Sequence, residues 1–502
     1  MPAQLISFLV GLLSLSAETL WVRTYAFANQ STPIAIAVVL SVYLLGIARG
    51  ASVGGGFCRT SANLREIVAK CVLAASAVIA LTPAFIIALP RIPLLLLPLI
   101  FAPAFLLSIC FPICHHLGTK LGTGHVGKSL SRVYAANILG SVIGPLVTNF
   151  VVLERVTTQM AFIILGALGM CIAVAIALAD RLNSSIKQMV LAGTAFAFGL
   201  TFVFGAGQAS TGAQNQLIAK LSTRDGEIRH VVETRQGIVV TYKDDVAGDA
   251  VFGGNVYDGR TNIDPRINSN GLNRVIMLQA ITPTPRRVLM IGLSVGSWQY
   301  IIGGFPDVER MDVVEINPGY IDLARNYGAQ NKAIHDPRVN LIIGDGRKFL
   351  RQNPDAKYDL VIMNTTWHWR MYVSLLMSRE FLSLIKSHMT PEAVLAFNTT
   401  ESIDALKTAA AVFPHVYRYD NFAVAAETDW RVRLADKAAS EKLRLIAPAG
   451  KPLFGPRDGD VVADFLDSSH VQTLDEAEIK IGRPGEIITD RNLITEYRYG
   501  RR

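Results

Sequence analysis

Long apolar runs fill the first 206 residues, at about 4–26, 33–53, 67–89, 92–114, 133–153, 159–179 and 188–206. A helix needs about 20 such residues to cross roughly 30 Å of hydrocarbon, where every backbone polar group must be satisfied internally. The runs predict a transmembrane bundle of about seven helices, in an integral inner or cytoplasmic membrane protein partnered by the lipid bilayer. Hydrophobic residues make up 51% of the chain and charged ones 18%, which excludes disorder and an ordinary soluble enzyme. Residues 1–206 hold 12 basic and 4 acidic side chains, and the remainder holds 36 of each. The net charge of +8 is therefore a property of the membrane half. The neutral second half gives no electrostatic case for a nucleic-acid partner.

Basic residues concentrate in the connections 54–66, 115–132 and 180–187, which places those loops and the amino terminus in the cytoplasm. Seven crossings would then deliver the second half to the opposite face. The cofactor argued below is cytosolic, so the expectation adopted is a cytoplasmic second half, with 133–153 or 188–206 re-entrant or interfacial. The apolar start lacks a basic leader and a small-residue cleavage site and reads as a retained anchor. The stretch from Val133 to Pro145 is rich in small residues and predicts a helix packed against other helices. Glu18 lies inside the first run, where an ionisable group is costly unless paired or wetted. It is a candidate wall of a polar substrate pocket, the alternative being a bond to a neighbouring helix. Arg23 reads as a snorkelling residue at a span end. All five cysteines lie in this half without metal-ligand spacing, so neither a disulfide framework nor a metal site is expected.

The composition divides the chain into a transmembrane domain 1–206, a linker 207–226 rich in Ser, Thr, Gly and Gln, a small β module 227–285, an α/β domain 286–430 and a carboxyl-terminal segment 431–502 that packs on it. Within 286–430, the strand Arg287 to Ile291 runs into a glycine turn. Strands follow at Met311–Ile316, Val339–Ile343 and Tyr358–Asn364, with helical stretches between them. Strand–helix alternation implies a parallel sheet covered on both faces, which binds ligands at the carboxyl ends of its strands.

Those strand ends carry usable chemistry. Gly292 and Gly296 place no side chain in the way of a nucleoside, and Ser294 lies between them. Glu315, about twenty residues on, is placed to accept both ribose hydroxyls, with Ile316 beside it. Asp345, in Gly344-Asp-Gly346, is placed to accept from an adenine amino group. Asn364 and Thr365 end the fourth strand. Glycine turn, Glu315 and Gly-Asp-Gly at three successive strand ends form a more specific signature than any one of them alone.

The segments Gly292–Gly296, Val314-Glu-Ile-Asn-Pro318, Asp336-Pro-Arg-Val339, Gly344-Asp-Gly-Arg347 and Ser378-Arg-Glu-Phe381 resemble the spermidine synthase (polyamine aminopropyltransferase) family over about 230–430. Arg132–Gly140 and Thr489–Glu496 resemble its membrane-spanning fusion members. The resemblance implies a Rossmann-like methyltransferase fold behind a small β module. It also implies S-adenosylmethionine or its decarboxylated form as donor, without a metal. Under it Glu315 holds the ribose, Asp345 the adenine, Gln236 lies near the donor, and Asp258-Gly259 closes the β module.

Departures from the family bear on the substrate. Val295 stands where the family places the acid for the donor's aminopropyl ammonium, Gly271-Leu-Asn-Arg274 replaces its Tyr-His-Glu, and Asn364 replaces the Asp that deprotonates the attacking amine. An amide takes no proton at neutral pH. The expected function is a membrane-embedded transferase moving a group from a sulfonium to an unknown acceptor other than an ordinary polyamine. Alternatives are lyase or cyclase chemistry on the same donor, or a non-catalytic nucleoside sensor controlling a small membrane carrier. Candidate catalytic residues are Asn364, His368 and Tyr372. Trp367 and Trp369 are candidate pocket walls, and a homo-oligomer is compatible with all of this.

Overall fold

The computed structural model describes residues 1–119, 126–179 and 211–498, which divide into two compact units. In the first, six helices are long and apolar enough to cross a membrane. They are α1 (Ala3–Ala28), α2 (Pro33–Thr60), α3 (Leu64–Ala88), α4 (Leu97–Gly118), α5 (Val126–Val147) and α6 (Thr158–Ala179). The expected seventh, at 188–206, lies outside the described residues. Helix α7 (Thr211–Leu221) occupies part of the stretch read as a linker. Its composition is polar, but Leu217, Ile218 and Leu221 share one face and are buried, so packing overrides the local signal.

Lipid tails are as apolar as leucine, so helices associate in a bilayer by close contact rather than by hydrophobic exclusion. Glycine supplies that contact here. The pairs α1–α5, α2–α4 and α3–α6 pack together, and one helix of each pair carries glycines against its partner's backbone. A Cβ at Gly140 of α5 would lie 1.9 Å from the Phe8 carbonyl oxygen, and one at Gly144 would lie 2.4 Å from that of Leu12. Gly50 and Gly54 of α2 meet the carbonyls of Phe105 and Ile109 at 2.2 and 2.3 Å by the same construction, and Gly166 of α6 meets Ala80. The expectation that Val133–Pro145 is a packing helix agrees with this arrangement. Asn137 Nδ2 adds a bond to the Ser7 carbonyl at 2.9 Å. Arg23 does not simply snorkel: its Nε donates to Thr158 Oγ1 at 2.7 Å, tying α1 to the start of α6.

The second unit holds two sheets. Strands β1 (Ile228–Thr234), β2 (Gly237–Tyr242), β3 (Ala250–Gly253) and β4 (Val256–Arg260) form a four-stranded sheet in sequence order. An eight-stranded sheet follows, in the order β12-β10-β11-β9-β8-β5-β6-β7. Strands β5 (Arg287–Ile291), β6 (Arg310–Glu315), β7 (Val339–Ile343), β8 (Tyr358–Met363) and β9 (Met389–Asn398) run parallel. Strands β10 (His415–Tyr419), β11 (Phe422–Ala426) and β12 (Val471–Gln472) complete one edge antiparallel. Along β5, Val288 and Met290 enter one apolar core while Leu289 and Ile291 enter the other, so both faces are buried and the strand reads as one apolar run. From β5 the order runs to β6 and β7 on one side and to β8 and β9 on the other. This reversal is the switch point where such sheets bind ligands.

The carboxyl-terminal segment is part of the core rather than a solvated appendage. Leu443, Phe454 and Phe465 are buried in it, β12 pairs with β10, and Arg347 is held bidentately by Asp490 at 2.6 and 2.8 Å.

The glycine contacts predict an asymmetry on α5. Gly140→Leu should destabilise the full chain by more than about 2 kcal/mol, because backbone blocks the added atoms. Leu139→Ala, at a 58% exposed position on the same helix, should leave the melting temperature in detergent nearly unchanged. Equal melting shifts for the two variants would refute the close-packing account.

Candidate active site

Glu315 ends β6 and is 3% exposed, yet it is fully engaged. Its Oε2 accepts from Leu293 N at 2.7 Å and its Oε1 from Asn317 N at 2.8 Å. One carboxylate thereby joins the loop after β5 to the loop after β6. Burial is the larger influence and pushes its pKa up to about 7, against the lowering effect of these N–H donors; the nearby Asp258 carboxylate adds to the rise. Beside it, Gly292 has φ +86°, and a Cβ there would lie 2.7 Å from the Asn364 carbonyl oxygen, so both conformation and space require glycine. Ser294 also has positive φ, and Gly296, at φ +89°, is the N-cap of the helix Ser297–Ile302.

Asp345 caps the helix Gly346–Gln352, its Oδ1 accepting from Lys348 N at 2.8 Å, and the residue is exposed. Gly346 is buried against Ile291, which a Cβ would approach to 2.8 Å, so packing already explains this glycine. Ile316 and Ile343 are each 59% exposed at the ends of β6 and β7, leaving apolar surface near Glu315 and Asp345.

A cavity of about 130 Å³ adjoins the bend Leu293–Val295. That size matches cavities that hold one benzene-sized molecule; it suits a substituent or a small acceptor rather than a whole nucleoside. Ser294, Asn364, Thr365 and Trp367 line it, as the sequence reading would require of pocket residues. Trp367 is fixed by donating Nε1 to the Tyr257 carbonyl at 3.1 Å, and Thr365 by donating to the Asn398 carbonyl. Val295 also lines the cavity but belongs to a small core with Val239, Val251, Tyr320 and Leu323, so its side chain serves packing between the sheets.

Other candidates fall elsewhere. His368 is buried and absent from the lining. Its Nδ1 faces the Thr400 carbonyl at 3.1 Å and hydroxyl at 3.0 Å, and burial lowers its pKa, so it anchors the loop instead of meeting a substrate. Trp369 is buried behind Trp367, the two rings stacked at 6.2 Å. Tyr372 is 61% exposed at φ +67° and does not reach the cavity. Gln236 is exposed in the β1–β2 turn; the adjacent Gly237 faces Asn317, so this turn stands by the end of β6 rather than at the cavity. Glu18 sits on α1 in the helical unit, whereas every lining residue comes from 257–421.

Several further residues line the cavity; of these, the resemblance places Asp258 at the close of the β module and Arg274 in the stretch that replaces the family's Tyr-His-Glu, and Trp298, Asn398 and Asn421 are not singled out. Asp258 bonds the Tyr320 hydroxyl, and burial pushes its pKa up to about 6, against lowering by Tyr320 and Arg370. Arg274, Trp298 and Asn421 also line the cavity, with Asn398 at the carboxyl end of β9. Of Trp298, Asn398 and Asn421, only Asn398 carried a usable signal, as the polar end of a parallel strand. Among the described residues, no group of three His, Cys, Asp or Glu is placed to hold a metal.

Residues 275–417 match the spermine/spermidine synthase domain. Putrescine N-methyltransferase 1 of Nicotiana tabacum is 33% identical over 85 residues, which is 17% of this chain and 23% of that enzyme. The polyamine aminopropyltransferase of Thermococcus kodakarensis is 29% identical over 185 residues, 34% of this chain and 64% of its own length. The chain thus spans under a quarter of the tobacco relative and somewhat under two thirds of the archaeal one. The crystal structure of a spermidine synthase with the transition-state analogue AdoDATO aligns at a TM-score of 0.39 and 19% identity, over 48% of this chain and 85% of that one. The match to the spermine/spermidine synthase domain thus lies in the carboxyl-terminal region, over residues 275–417.

The raised Glu315 pKa has a defined consequence for stability. A carboxyl whose pKa rises on folding contributes stability that is complete below the unfolded value near 4.5 and is lost as pH climbs through about 7. Wild-type unfolding free energy should therefore fall between pH 5 and 7 relative to Glu315→Gln, which has no proton to release there. A pH-independent difference in denaturation midpoint between the two would contradict this assignment.

Proposed function

We propose that the second unit binds an adenosyl sulfonium, S-adenosylmethionine or its decarboxylated form, and transfers a group from the sulfur to an acceptor that is not a polycation. The observation that carries this reading is Glu315, a buried carboxylate at the carboxyl end of β6 beside a side-chain-free bend. Each of its oxygens has a second lone pair, so two ribose hydroxyls can bond it without displacing Leu293 N and Asn317 N. The Gly292 bend leaves room for the sugar, Ile316 and Ile343 offer apolar faces to a ring, and Asp345 has an oxygen free of its capping bond for an exocyclic amine. These residues fit a nucleoside.

The bound sulfonium supplies an electrophilic carbon with a neutral thioether as leaving group, so the protein's task is mainly alignment. Trp367 offers a ring face to a cationic centre. Asn364 and Thr365 orient an acceptor by hydrogen bonds but take no proton from it. Of the carboxylates expected for a polyamine, neither position 295 nor position 364 has one, which removes most of the attraction for a polycation. A nucleoside sensor is the second reading, favoured by the amide at 364. The donor is cytosolic, so the second unit is placed on the cytoplasmic side of the membrane.

Calorimetry on the detergent-purified full chain should detect S-adenosylhomocysteine or methylthioadenosine. Binding should strengthen as pH rises through about 7, because an ionised Glu315 is the better acceptor for ribose hydroxyls. Glu315→Gln should weaken it about tenfold or more and flatten the pH profile. No heat from either ligand would overturn the proposal, and binding of a donor with no product from a broad acceptor panel would favour the sensor. In sealed vesicles with their cytoplasmic face inward, protease should spare the carboxyl terminus; its digestion would place the second unit outside.

A further inference from the structure

This inference rests on the nucleoside reading and concerns what the cavity holds beyond the nucleoside. Leu293 to Val295 form both the bend bonded by Glu315 and one wall of the cavity. A substituent leaving the ribose at its 5′ carbon therefore has the cavity beside it. Two charged side chains line that space, Asp258 and Arg274.

The guanidinium of Arg274 lies between two aromatic faces, 5.0 Å from the ring centre of Trp298 and 4.8 Å from that of Phe422. Its Nε donates to the Gly271 carbonyl at 3.1 Å, its Nη2 to the Asn270 carbonyl at 3.4 Å, and its Nη1 to Asn421 Oδ1. All three acceptors are neutral. A guanidinium carries five N–H donors, so two remain. Asp420 attracts it from a distance but spends its own oxygens on Asn273 Nδ2 at 2.6 Å and His470 at 2.9 Å. Burial lowers the Arg274 pKa to about 10, which leaves the group charged at neutral pH. The cavity thus holds a rigid cation with donors to spare and no carboxylate bonded to it.

The two adenosyl sulfoniums differ in one group at this place. S-adenosylmethionine ends in an ammonium and a carboxylate, its decarboxylated form in an ammonium alone. We propose that Arg274 binds the tail carboxylate of the donor, with Asp258 taking the ammonium, so that the chain uses S-adenosylmethionine in preference to the decarboxylated donor. The planar fork matches a carboxylate in shape and charge, whereas an aminopropyl ammonium alone would face a like charge across a small cavity.

Calorimetry on the intact purified chain with four probes tests this: S-adenosylhomocysteine, S-adenosylmethionine, decarboxylated S-adenosylmethionine and methylthioadenosine, which lacks the tail. The wild type should bind S-adenosylhomocysteine about tenfold or more tighter than methylthioadenosine, and S-adenosylmethionine tighter than the decarboxylated donor by a similar factor. Arg274→Met should bring the ratio between S-adenosylmethionine and its decarboxylated form to near one and lower that between S-adenosylhomocysteine and methylthioadenosine, while leaving methylthioadenosine affinity unchanged, which also reports that the variant is folded. If that variant loses methylthioadenosine as well, Arg274→Lys carries the test, since an ammonium cannot form the fork and should reduce both ratios. Equal wild-type affinities within either pair, preference for the decarboxylated donor, or ratios unaltered in the variants would overturn the inference. Failure of all four probes to bind would instead bring down the nucleoside reading, and this inference with it.

Discussion

One buried carboxylate organises the α/β half of this protein. Glu315 bonds the second amide of the loop after β5, that of Leu293, and the amide two residues beyond its own strand. Ionised carboxylates are rarely buried without a partner, and here the partners are backbone dipoles rather than a cation. The raised pKa records that compromise. Its structural effect is to tie the two loops together through its two oxygens. The glycine bend at 292, the position of Ser294 and the cavity wall all follow from where that acid stands.

The membrane half meets a different constraint by a different route. Its apolar helices approach until carbonyl oxygens touch α-carbons, and glycine permits that on α1, α2, α5 and α6. Polar bonds such as Asn137 to Ser7 and Arg23 to Thr158 then add registry at particular heights. Both halves therefore depend on positions where a side chain is missing, but in one case the vacated space is filled by a neighbouring helix and in the other it adjoins a cavity.

The cavity itself differs in charge from what a polyamine requires. Val295 has joined the packing between the two sheets, Asn364 presents an amide, and Arg274 brings a positive charge stacked between Trp298 and Phe422. Asp258 is the one acid left on the wall. The wall thus carries one residue of each sign rather than a set of carboxylates.

Much of this was legible before any coordinates. The six described spans, the parallel strands and the strand-end positions of Gly292, Glu315, Asp345 and Asn364 are set by hydrophobic period and length, which are properties of neighbouring residues along the chain. The helix at Thr211–Leu221 and the displacement of His368, Trp369 and Tyr372 from the cavity were not. Nor was the meeting of Asp258, Arg274, Asn398 and Asn421 around one space, since these come from β4, the helix Asn273–Ile276, the end of β9 and the turn between β10 and β11. Local pattern decides which segments are strands and spans because it reports only how a segment faces water or lipid. Which side chains share a cavity depends on loop paths and on buried charges finding partners far away in the chain, and only the folded structure settles that.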